Sequence, residues 1–117
     1  MRRFSLLLIV FVAVILASTT ATFYSKSSGV EMLDPTSFKK EVLNSNELWM
    51  IEFFAPWCGH CQALKPVYEK TAKAFKGIVR FGAVDVDTHK ELGGQYGIKG
   101  FPTLKFFGEN KNKPIDY

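Results

Sequence analysis

Leu48-Trp49-Met50-Ile51-Glu52-Phe53-Phe54-Ala55-Pro56-Trp57-Cys58-Gly59-His60-Cys61 is the stretch that decides the fold. Leu48 to Ala55 is apolar on both alternating faces except at Glu52, the pattern of a central strand covered by helices on both sides. Pro56 ends that strand. From Cys58 the apolar positions fall at Cys61, Leu64, Val67, Tyr68, Ala72 and Phe75. Spacings of three and four predict a helix to about Lys76, with Gly77 as its stop. Pro66 lies inside that helix, where the lost backbone hydrogen bond predicts a kink rather than a break. In open α/β sheets chemistry gathers at the carboxyl end of a central strand, which here is the Pro56 to Cys61 corner.

Working outward, Val30 to Leu33 reads as a short edge strand after a polar lead-in over residues 22–29. Asp34 and Pro35 are the N-cap and first position of a helix whose apolar face is Phe38, Val42 and Leu43, and Asn44-Ser45-Asn46 ends it. Ile78 to Val86 predicts a third strand, Glu91 to Tyr96 a short helix weakened by Gly93 and Gly94, and Thr103 to Phe107 a further strand. Strands and helices alternate. The fold class is therefore α/β, a central mixed β-sheet with helices on both faces.

The 117 residues suffice for one domain, and 47% hydrophobic with 22% charged residues excludes a disordered or low-complexity chain. Met1-Arg2-Arg3 is a positive cap on an apolar run from Phe4 to Ala17, followed by the small residues Ser18-Thr19-Thr20-Ala21. Residues 1–21 read as a secretory signal. The alternative is a membrane anchor, against which stands a strongly apolar length of about fourteen residues where roughly twenty span a bilayer. Contact with a membrane is expected only if the signal stays uncleaved. Without Arg2 and Arg3 thirteen basic residues face eleven acidic ones, too small a surplus for nucleic acid to be a partner.

Cys58 and Cys61 are the two cysteines, so no disulfide framework staples the fold and the pair is free for chemistry. A structural zinc site wants four ligands, and only His60 and His89 could add to the cysteines. A c-type haem site needs histidine after the second cysteine, where Gln62 stands. Two inert buried thiols are the third alternative. Both cysteines in the first turn of a helix behind a central strand favour redox chemistry instead. Cys58 lies at the helix N-terminus, where unpaired N–H groups favour a thiolate, while Cys61 shares the apolar face with Leu64 and Tyr68. Cys58 is thus expected to be the exposed, low-pKa sulfur and Cys61 the shielded, resolving one, with Gly59 giving the turn latitude.

A low pKa does little for attack itself. Lowering it from about 8.5 to about 5 raises the thiolate fraction at pH 7 roughly thirtyfold, and a Brønsted slope near 0.45 takes back a similar factor. What remains is a good leaving group, which suits an oxidant or isomerase. His60, beside Cys58, is expected to stabilise the thiolate and so the reduced pair.

Phe54 to Cys61, Lys65-Pro66, Val84-Asp85 and Gln95 to Thr103 together closely resemble the thioredoxin-like a-type domains of the protein disulfide isomerase family, over residues 30–117. The resemblance implies a thioredoxin-like fold and a thiol-disulfide oxidoreductase and isomerase acting on secretory polypeptides. The implied partners are unfolded or misoxidised cysteine-bearing chains and a recycling oxidase or glutathione, in the endoplasmic reticulum lumen or outside the cell. No cofactor is implied beyond the Cys58–Cys61 disulfide. The gap between about −270 mV for thioredoxin and about −180 mV for the isomerase is worth roughly 4 kcal/mol toward donating a disulfide. By the same resemblance Pro102 is a cis-proline beside the cysteines, and Phe101 and Pro102 bind substrate; Trp57, on the aromatic surface beside Phe101, is expected to bind substrate with them. Glu52 matches a buried acid that exchanges the proton of Cys61. The alternative is a client-holding module of the same fold without turnover.

Two departures stand out. The lysine that often pairs with that acid is replaced by Ala83, and the family's last strand, C-terminal helix and intervening arginine are not found before Tyr117. No Lys-Asp-Glu-Leu-type tail is present. The expectation is a C-terminally truncated domain, marginally folded, with the strand Thr103 to Phe107 as a bare edge and an apolar patch beside it.

Overall fold

The computed structural model describes residues 22–117; the signal reading of residues 1–21 falls outside the described residues. Five strands form one sheet: β1 (Val30–Met32), β2 (Trp49–Phe54), β3 (Arg80–Asp85), β4 (Thr103–Phe107) and β5 (Ile115–Asp116). Their order is β1-β3-β2-β4-β5. β2 pairs parallel with β3 and antiparallel with β4, so the sheet is mixed and β2 lies at its centre. Among the described residues a 3₁₀ turn over Lys26–Ser28 precedes β1, and three α-helices flank the sheet: α1 (Pro35–Ser37), continued by a π-helical stretch over Phe38–Leu43, then α2 (Gly59–Ala74) and α3 (Lys90–Gln95).

The alternation of β2 divides the core. Trp49, Ile51 and Phe53 pack with Phe38, Val42 and Leu92 on one face, and Phe54 packs with Cys61, Tyr68 and Ala72 of α2 on the other. Glu52 shares the α2 side with Phe54 and is fully buried. Its placement follows from the period of the strand, which allows one charged residue in an otherwise apolar run to face only one layer.

The helix starts are those the sequence dictates. The Ser37 N–H donates to Asp34 Oδ1 at 2.7 Å, and the Asp34 N–H donates to Ser37 Oγ at 2.9 Å, a reciprocal capping box ahead of Pro35. The wider turns of Phe38–Leu43 let Phe38, Val42 and Leu43 reach the same core cluster. α2 runs unbroken through Pro66 to Ala74, two residues short of the expected end, and Gly77 turns the chain at φ +87°. α3 tolerates Gly93 because the position demands it: a Cβ there would lie 2.5 Å from Val86 Cγ1.

Two departures from the sequence reading change the architecture. Residues 22–29, expected as a polar lead-in, carry Tyr24 into the core at 2% exposure, and Phe23 stacks on Phe54 with ring centroids 4.4 Å apart. Two adjacent aromatics in a stretch of serines and threonines outweigh its average polarity, because burial is decided side chain by side chain. The second departure is β5. β4 is not a bare edge, since Ile115 and Asp116 pair with Phe106 and Lys105. The apolar patch is present all the same, as a recess of about 480 Å³ between α2 and β4 lined by Leu64, Val67, Phe75, Leu104, Phe106 and Tyr117 among others.

Candidate active site

The corner between β2 and α2 is closed by a hydrogen bond from the Cys58 N–H to the Ala55 carbonyl at 3.1 Å, which wraps Pro56 and Trp57 into a tight turn. Cys58 becomes the N-cap of α2. Its sulfur accepts the Cys61 N–H at 3.3 Å, so one of the unpaired donors of the helix start points at that sulfur. The Cys58 carbonyl accepts the Gln62 N–H at 3.1 Å, the first intrahelical bond. Both cysteines are free thiols.

Cys61 is fully buried, as its place on the apolar face predicts. Burial pushes its thiol up to about 12, with the neighbouring Cys58 sulfur and the Glu52 carboxylate adding to the rise. Cys61 therefore holds its proton at neutral pH. Cys58, expected to be exposed, is 7% accessible. The cause is the loop ahead of β4. Its thiol donates to the Phe101 carbonyl at 3.6 Å, and the Phe101 ring meets Trp57 edge-on at 5.8 Å. The Phe101–Pro102 peptide is cis.

Trp57 is 66% exposed yet held in place, because its indole N–H donates to Asp87 Oδ2 at 2.8 Å. The sequence position of Asp87 gives no sign of this role. Only the parallel pairing of β2 and β3 brings the loop after β3 beside the corner after β2. His60 is exposed in the first turn of α2 and lines an open cleft of about 650 Å³ with Pro102, Thr103 and Tyr117. Gly59 is exposed, and a Cβ there would meet nothing within 4 Å. Packing does not require glycine at that position, so what it leaves is open space beside Cys58.

Glu52 is the buried acid below this corner. The Tyr24 hydroxyl donates to Glu52 Oε1 at 2.5 Å, and Glu52 Oε2 is buried without a partner. Burial pushes Glu52 up to about 7, against the opposing pull of the Tyr24 hydrogen bond. The reading of residues 22–29 as a polar lead-in leaves Tyr24 out of the site, although a tyrosine next to another aromatic in a polar stretch is a signal that marks it. Among the described residues no group of three or more His, Cys, Asp and Glu stands where it could hold a metal ion, and no helix is long and apolar enough to cross a membrane.

Two thiols three residues apart at a helix start, facing a cis-proline loop across the mouth of a mixed sheet, define a thioredoxin-fold dithiol domain. The thioredoxin family model matches residues 29–117, and the chain belongs to that family. It is 60% identical over 94 residues to protein disulfide-isomerase A6 of Mesocricetus auratus, covering 80% of this chain and 21% of that protein. It is 50% identical over 113 residues to the protein disulfide-isomerase A6 homolog of Drosophila melanogaster, covering 97% of this chain and 25% of that protein. Among solved structures, the Trx4 domain of ERdj5 superposes with a TM-score of 0.67 at 33% identity, over 76% of this chain and 80% of that one. These likenesses bear out the resemblance to the isomerase a-type domains. The chain spans about a quarter or less of the length of the curated relatives it matches.

Proposed function

We propose that this domain exchanges disulfides with cysteine-bearing polypeptides as a thiol-disulfide oxidoreductase and isomerase. The observation that carries the reading is the Cys58 sulfur, capped by the Cys61 N–H and set against the Phe101 carbonyl, with a fully buried second thiol behind it. Likeness to proteins named protein disulfide-isomerase supports it. In reduction, the Cys58 thiolate attacks one sulfur of a client disulfide, a mixed disulfide forms, and the other client sulfur leaves with the electron pair. Glu52 then takes the Cys61 proton. The Cys61 thiolate attacks Cys58, the client sulfur leaves as thiolate, and the pair ends as the disulfide. Oxidation is the reverse, with Glu52 returning the proton to Cys61.

In this reading Trp57, Phe101 and Pro102 seat the client strand, and His60 favours the reduced pair from the side of the cleft. Electrons pass between sulfurs alone, so no bound cofactor takes part, and glutathione or an oxidase restores the pair. The apolar run behind Arg2 and Arg3 supports delivery to the secretory pathway, with the endoplasmic reticulum lumen as the place of work. A second reading, client holding without turnover, has in its favour the 66% exposure of Trp57 and the open apolar recess. Refolding of a scrambled-disulfide protein separates them: turnover by the wild type and none by Cys58→Ala supports catalysis, and equal recovery with both supports holding.

A further inference from the structure

The carboxylate of Glu52 has two oxygens in unlike surroundings. Oε1 accepts the Tyr24 hydroxyl at 2.5 Å, and Oε2 is buried with no partner. Tyr24 is itself 2% exposed and wedged between Phe23, Phe54 and Tyr68, so its hydroxyl has no water to turn to. The other nearby hydroxyl is otherwise engaged. Tyr68 Oη lies 3.0 Å from the Met50 carbonyl and 2.9 Å from the Gly82 carbonyl, and both accept its proton. Opposite Glu52 in the sheet stand Ala83 of β3 and Leu104 of β4, neither of them ionisable. The titratable groups that face Glu52 are thus Tyr24 from the N-terminal segment and Tyr68 and Cys61 from α2, with Glu69 acting on Tyr24 from the same helix. No cation stands among them.

We infer that Tyr24 is a positioning residue for the resolving step: its hydroxyl holds Oε1 of Glu52 and stabilises the ionised carboxylate, leaving Oε2 as the oxygen that takes the Cys61 proton. The inference rests on the proposed role of Glu52 and adds to it the group that keeps that acid usable near neutral pH. A buried carboxylate without a cation is driven toward its neutral form, and a neutral carboxyl accepts no proton from Cys61. One charge-assisted hydrogen bond opposes this. The direction of the Tyr24 effect on Glu52, downward against the rise caused by burial, agrees with that part. The arrangement also gives one residue before β1 a positioning role, although it lies outside the stretch matched by the family model.

The test uses Tyr24→Phe, which keeps the ring and its packing and removes only the hydroxyl. Single-turnover stopped-flow follows release of a thiol peptide from its mixed disulfide with Cys58, between pH 5 and pH 9. The expected result is a rise in the midpoint of the rate profile by about one pH unit, which makes the step about fivefold slower at pH 7 and nearly normal at pH 9. In the Glu52→Gln background Tyr24→Phe should add nothing. A purely structural role for Tyr24 would scale the rate equally at every pH and leave the midpoint unmoved, and that outcome overturns the inference while leaving Glu52 in place. Wild-type resolution in Glu52→Gln alone would instead remove the proposed role of Glu52. A carbon-13 titration of the Glu52 carboxyl gives the midpoint without kinetics: an upward shift in Tyr24→Phe supports the inference, and an unchanged value overturns it.

Discussion

The Cys58 thiol donates to the carbonyl of Phe101, 43 residues further along the chain, at 3.6 Å. That contact sets the Cys58 sulfur against the backbone of the loop ahead of β4. An extended client lying along this loop would present its sulfur to Cys58 directly, which gives the two cysteines different fates on substitution.

Cys58→Ser abolishes both oxidation and isomerisation, because it removes the sulfur that makes first contact, while a serine N-cap keeps the start of α2 intact. Cys61→Ser leaves attack possible and stops resolution, so mixed disulfides with a cysteine-bearing client accumulate on non-reducing gels. Equal trapping by both variants would reverse or erase this assignment of roles.

Glu52 gives the fold a defined pH dependence. Its carboxyl is raised from an ordinary 4.5 to about 7 by burial, so between those values the folded chain binds a proton that the unfolded chain has released. The protonated carboxyl's contribution is fully present below pH 4.5 and is lost as pH rises to about 7, a difference of about 3 kcal/mol. Glu52→Gln removes that slope and is the more stable protein at pH 8, with slower resolution. Denaturant midpoints at pH 4.5 and pH 8 check it, and parallel wild-type and variant curves would refute it.

His60→Pro makes the pair more reducing. His60 is exposed in the first turn of α2, where proline is tolerated, so the fold is kept while the imidazole two residues from Cys58 is lost. The disulfide gains relative to the dithiol. A glutathione redox titration reads the shift, and an unchanged or more oxidising value would make His60 a bystander.

Asp87→Ala frees the Trp57 indole. Trp57 is mostly exposed, so stability should change by no more than about 0.5 kcal/mol. The effect falls on clients: KM for a peptide disulfide rises and the anisotropy of tryptophan fluorescence falls, whereas unchanged KM would show that the Asp87 bond does not hold the binding face.

Gly93→Ala brings a methyl to within 2.5 Å of Val86 Cγ1 and costs roughly 1–3 kcal/mol by overpacking. Val86→Ala in the same chain should restore part of the loss. Urea denaturation of the two variants decides it, and an undiminished midpoint for Gly93→Ala would mean that α3 simply moves away.

The sequence by itself determined the central strand, the helix behind it and the places of the two thiols in its first turn. Each is written in neighbours: alternation over Trp49–Phe54, spacings of three and four from Cys61 to Ala72, and a cap at Cys58. The capping box at Asp34 and Ser37 is equally local. Only the tertiary structure decided what those elements meet. Tyr24 reaches Glu52 across 28 residues, Trp57 reaches Asp87 across 30, and β5 pairs with β4 through two residues whose short run carries no strand signal. The physical reason is that period and capping are properties of a few consecutive residues, whereas a hydrogen bond between distant side chains depends on strand order. With β2 set between β3 and β4, the Asp87 loop and the Phe101 loop come to the same end of the sheet as Cys58, and no local pattern encodes that order.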